Sequence, residues 1–163
     1  MLSLLTLLSL LKLIHIISAS LWIGGILFTV LVNRRLREAF PPVEAIKLLG
    51  TVGRAIQRPM RYSLYLAVIT GLLILSARGV GIQSILNPSF YATYFGTILM
   101  IKTVIVMAIL IILPLHSRLG TELSKMENGP GYARKRLKTI VVGWASLSLT
   151  IAVMMLGTLL RFS

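Results

Sequence analysis

Residues 2–32 read LSLLTLLSLLKLIHIISASLWIGGILFTVLV, and Asn33-Arg34-Arg35 follows at once. A helix crosses the hydrocarbon core of a bilayer with about 20 residues, and this run is longer than that. It is continuously apolar rather than alternating, so it does not fit a barrel strand. Nor does it fit a cleavable secretory signal, whose apolar core is about 7–15 residues, and no small-residue cleavage site precedes Asn33. A retained transmembrane helix is expected.

Outward from that run, three further apolar stretches follow. One comes after Arg58-Pro59-Met60-Arg61 and ends near Ala77, one spans about 95–115, and one about 139–160. Composition agrees. The 163 residues are 56% hydrophobic and 13% charged, whereas soluble domains carry about 25% charged residues. The expectation is therefore an all-α membrane protein with a single domain over 1–163, its helices at about 2–32, 60–77, 95–115 and 139–160. Cysteine is absent, so neither a disulfide framework nor a thiolate metal site is on offer. No Ser-His-Asp set, HExxH motif or phosphate loop is present.

The net charge of +13 arises from 17 Lys and Arg against four acids. In a soluble chain this would suggest nucleic acid, but here the bases are divided among the segments between apolar runs. The segment 33–61 holds seven of them: Arg34, Arg35, Arg37, Lys47, Arg54, Arg58 and Arg61. Six more lie in 116–138, namely Arg118, Lys125, Arg134, Lys135, Arg136 and Lys138, while 78–94 has only Arg78. The positive-inside rule then predicts an antiparallel four-helix bundle, N-out and C-out, in the cell inner (plasma) membrane. No nucleic-acid partner is expected. The expected partners are the lipid bilayer, anionic headgroups at the basic loops, and partner membrane subunits or a second copy of the chain.

Pro41-Pro42 is expected to break the chain. Val43 to Ile56 then reads as a short amphipathic helix at the headgroups. Phe90, Tyr91, Tyr94 and Phe95 mark the outer interface, and Asn128-Gly129-Pro130-Gly131 reads as an inner turn.

Ionisable residues at membrane depth are costly and are functional candidates. Three qualify: Lys12, His15 and Lys102. All four acids, Glu38, Glu44, Glu122 and Glu127, fall between the apolar runs, so neither lysine has a membrane carboxylate to pair with. Lys12 reads as a residue snorkelling to the outer headgroups. His15 precedes Arg34 by roughly 28 Å of helix, and Lys102 precedes Arg118 by roughly 24 Å, which places both in the outer half of the bilayer.

His15 shares a helix face with Lys12, Ser18 or Ala19, and Trp22. It reads either as a neutral imidazole bonded to a neighbouring helix, or as a ligand to haem iron or copper or a proton carrier. Lys102 reads as a snorkelling residue, or as an ammonium whose anion comes from outside the chain. A propionate, a quinone oxygen, a lipid phosphate or a partner subunit would supply that anion. His116, just after Pro114, reads as an exposed C-terminal cap. Met100, Met107, Met154 and Met155 are soft ligands in principle and ordinary lipid-facing residues by habit. Gly24, Gly25, Gly71, Gly143 and Gly157 read as close-contact surfaces between helices.

The stretch Leu11-Lys12-Leu13-Ile14-His15, continued by Trp22-Ile23-Gly24-Gly25, resembles the opening helix of the CopD-like copper-resistance membrane domain. It is also similar to the HemJ-type, oxygen-independent protoporphyrinogen oxidases. Arg58-Pro59 leading to Thr70-Gly71, and Gly96 followed by Ile101-Lys102-Thr103, extend the likeness over most of the chain. The HemJ-type resemblance implies functional roles for His15 and Lys102 and a haem or porphyrin at the site. The CopD-like resemblance implies copper transfer and maps only to His15. The fourth helix, Trp144 to Leu160, departs by lacking the Asn-Glu followed by Pro of the HemJ-type proteins.

Three functions follow as expectations. The first is a haem- or porphyrin-binding redox protein, with haem b as cofactor and His15, Lys102 and Trp22 as cofactor-binding residues. The second is a non-catalytic accessory subunit of a respiratory or transport complex. The third is a copper transport or resistance protein, with His15 as the metal ligand.

Overall fold

The computed structural model describes residues 3–126 and 131–160. Within them the chain forms six helices and no strand: α1 Leu4–Ala39, α2 Pro42–Ala77, α3 Ile82–Leu86, α4 Pro88–Tyr91, α5 Tyr94–Lys125 and α6 Tyr132–Leu159. Four of them, α1, α2, α5 and α6, are long and apolar enough to cross a membrane. Their outer faces keep large apolar side chains uncovered, with Leu5 77%, Ile111 67% and Met155 65% exposed. Such surface is tolerable when the solvent is lipid, and the protein is a multi-pass membrane protein. The inner turn expected at Asn128-Gly129-Pro130-Gly131 lies outside the described residues up to Pro130, as do Glu127 and Leu2.

Each long helix outruns its apolar run. At 36 residues, α1 and α2 are each roughly 54 Å long, against a hydrocarbon core of about 30 Å. The surplus carries the bases. Arg34, Arg35 and Arg37 ride on α1, Lys47, Arg54, Arg58 and Arg61 on α2, Arg118 and Lys125 on α5, and the remaining four on α6. The two basic segments expected as loops are therefore largely helical. Leu, Ala, Lys, Arg and Glu, which populate them, are good helix formers, and side-chain pairs one turn apart stitch them. Glu38 accepts from Arg34 Nε at 3.0 Å and from Arg35 Nη1 at 3.2 Å.

The corner between α1 and α2 is two residues, Phe40 and Pro41. Phe40 takes an extended conformation before Pro41, as the residue before proline prefers, and Pro42 opens α2 at a position where no N–H is needed. The separate amphipathic helix expected over Val43 to Ile56 is not found. That segment is the first half of α2, which continues through Pro59 to Ala77. A proline inside a helix removes one N–H and crowds the carbonyl four residues back, but packing along α1 spans the interruption. Gly79, at φ 81°, closes α2 in the left-handed conformation.

The chain divides into two compact units, Met1–Leu86 and Asn87–Ser163. In the first, α1 packs on α2: His15 meets Ala67, Thr70 and Gly71, and Gly25 faces Met60. As residue number rises on α1 it falls on α2, as the two-residue corner requires. In the second, α5 packs on α6 in the same sense, through Lys102 with Gly157, His116 with Gly143 and Glu122 with Lys135. At the head of this unit, Asn87 caps α4 and Thr93 caps α5. Phe90 there makes edge contacts with Tyr91 and Phe95, at centroid distances of 5.5 and 6.2 Å.

Candidate functional site

His15 lies in the apolar length of α1 and is half-buried. Its Nδ1 is 2.8 Å from the Ala67 carbonyl oxygen and 3.2 Å from Thr70 Oγ1. The Thr70 hydroxyl has one proton, and its oxygen lies 2.7 Å from the Leu66 carbonyl and 3.1 Å from that of Ala67. That proton goes to a carbonyl, so Thr70 can only accept from the imidazole. Both neighbours of Nδ1 are thus acceptors, and Nδ1 carries the hydrogen. In the neutral ring the lone pair is then on Nε2, the arrangement used by metal-ligating histidines, which donate their other N–H to a carbonyl.

Gly71 completes the seat. A Cβ at this position would approach His15 Cε1 to 3.3 Å, tighter than ordinary contact. Ser18, Ala67 and Thr70 are buried beside it, and small residues of this kind let helix backbones approach within a membrane. Trp22 lies two turns beyond His15 on α1 and is only 4% exposed. Lys12, one turn before His15, is exposed.

Lys102 belongs to the second unit, on α5, and is half-buried. Its Nζ is 3.6 Å from where a Cβ on Gly157 would stand. Among the described residues it has no ion pair. His116 is not the exposed cap expected of it. α5 continues nine residues beyond it to Lys125, and its Nε2 rests 3.3 Å from the Cβ position of Gly143 on α6. Pro114 did not end the helix, because α6 packs along that stretch. His15, Lys102 and His116 thus each lie against a glycine of the facing helix, Gly71, Gly157 and Gly143 respectively.

The methionines considered as soft ligands do not converge. Met100, Met107, Met154 and Met155 are 45–65% exposed on the outer faces of α5 and α6. Among the described residues no three of His, Cys, Asp and Glu cluster as a metal site would require. Ala67, Thr70 and Gly71 as the seat of His15 were not assigned from sequence. The signal available was the Thr70-Gly71 pair, a hydroxyl beside a missing side chain inside an apolar helix.

The chain matches no protein-family model, no curated protein and no solved structure.

Proposed function

We propose that the protein is an integral membrane haem- or porphyrin-binding redox protein, with His15 as the axial ligand. One observation carries this reading: Nδ1–H is tied to the Ala67 carbonyl at 2.8 Å, which leaves Nε2 as the basic nitrogen. A haem needs only one such protein ligand, so a metal cluster of several side chains is not required. Bound haem b would supply one-electron chemistry, while the chain holds and tunes it. Ala67 and Thr70 set the ring's tautomer and raise the basicity of Nε2, and Gly71 leaves room for the imidazole edge. Trp22 shields the same α1 face from lipid. Lys102 is a cation in an apolar span, suited to an anionic substituent such as a propionate. The setting that the charge distribution supports is the cell inner membrane, with both termini outside and the basic helix ends in the cytoplasm.

The Nδ1 bond also supports a second reading, a purely structural imidazole in an accessory subunit of a larger membrane complex. Reduced-minus-oxidised absorption of protein produced with ample haem separates the two. The expected outcome is a b-type spectrum in the wild type and its loss in His15→Asn. Asn keeps a donor near the Nδ1 position but has no counterpart of Nε2, so helix content and detergent stability should stay close to wild type. A wild type without haem bands would overturn the haem reading. Stoichiometric co-purification with other membrane subunits would then favour the accessory one.

A further inference from the structure

Arg58, Arg61, Tyr62 and Tyr65 line a groove of about 210 Å³ on the surface of α2. Their spacing, three, four and seven residues from the first, puts all four on one helix face. All four are exposed, Tyr62 at 70% and Tyr65 at 47%. The guanidiniums have no carboxylate partner among the described residues: Glu38 is engaged by Arg34 and Arg35, and Glu122 by Lys135. The one acid on α2, Glu44, is 14 residues before Arg58, roughly 21 Å along the helix.

The position along α2 matters as much as the chemistry. From Ser63 to Ala77 the helix is apolar, whereas the stretch before it carries Lys47, Arg54, Arg58 and Arg61. The groove thus straddles the level where hydrocarbon gives way to headgroups. Tyrosine favours that level because its ring is apolar and its hydroxyl is wet. Paired guanidiniums match the oxygens of a phosphate in a way that a lysine point charge does not.

We infer that the groove of Arg58, Arg61, Tyr62 and Tyr65 binds the phosphate headgroup of an anionic phospholipid, with the acyl chains lying along the apolar half of α2. The site does not depend on haem, and its success or failure leaves the His15 reading untouched.

The test uses delipidated full-length protein in detergent, offered equal amounts of phosphatidylglycerol and phosphatidylcholine, with retained lipid counted by native mass spectrometry. Wild type should retain phosphatidylglycerol preferentially, and each of Arg58→Gln and Arg61→Gln should lower that preference by about fivefold. The Arg58→Lys/Arg61→Lys protein, which keeps the charge but not the fork, should also lose most of it. Arg34→Gln/Arg35→Gln removes equal charge elsewhere and should leave the preference in place. An undiminished preference in Arg58→Gln/Arg61→Gln would overturn the assignment. So would an equal loss in the Arg34/Arg35 control, which would show general surface charge. Displacement of the lipid by millimolar inorganic phosphate would make the groove a free-anion site and reject the lipid.

Discussion

At the scale of single residues, His15 and Gly71 form one device. The imidazole is held at 2.8 Å by the Ala67 carbonyl, so it cannot retreat from a new methyl group without lengthening that bond. Gly71→Ala should gain up to about 1 kcal/mol of helix propensity and lose about 1–3 kcal/mol to crowding. A net destabilisation is expected in thermal unfolding in detergent. In a His15→Ala background the crowding is gone, and the same change should be neutral or stabilising. That sign reversal in the double-mutant cycle is the measurement that ties the two residues together. The lone pair on Nε2 follows from the same geometry, since Thr70 spends its hydroxyl proton on the Leu66 or Ala67 carbonyl.

At the scale of elements, the continuity of α2 changes what the basic segment is. A surface helix joined to a membrane helix by a loop would exchange its amide hydrogens freely around the joint. One helix from Pro42 to Ala77 should instead protect residues 44–58 and 60–65 alike, apart from the amides next to Pro59. Hydrogen exchange with peptide-level readout in detergent checks this, and a band of fast exchange across 56–62 would contradict a continuous helix. The same continuity aligns Arg58 and Arg61 with Tyr62 and Tyr65 on one face, because a loop at Pro59 would have broken the three-to-four-residue spacing. On α5, continuity through Pro114 moves His116 from a helix end to a position against Gly143.

At the scale of the whole molecule, the distribution of charge predicts orientation independently of any site. Of the 17 bases, 13 lie in 33–61 and 116–138, at the α1–α2 and α5–α6 ends, and only Arg78 lies in 78–94. Because the chain has no cysteine, single-cysteine variants give a clean topology map. Ala92→Cys should react with a membrane-impermeant maleimide on intact cells, and Ala55→Cys only after permeabilisation. The reverse pattern would invert the proposed orientation and move Arg58 and Arg61 to the outer leaflet.

Four helices long and apolar enough to cross a membrane were legible from composition and run length, because apolar length against bilayer thickness is a property of the chain itself. The candidates His15 and Lys102 were legible for a related reason: an ionisable group inside such a run is conspicuous without any structure. Helix limits were not. Proline and charge mark local preference, and Pro59 and Pro114 each stand inside a helix that packing on its neighbour carries through. Nor could sequence say what His15 touches. Its partners Ala67 and Thr70 lie 52 and 55 residues away, and only the register of α1 on α2 brings a carbonyl, a hydroxyl and a glycine to one imidazole. The tautomer that makes Nε2 a candidate ligand was therefore decided by tertiary structure alone.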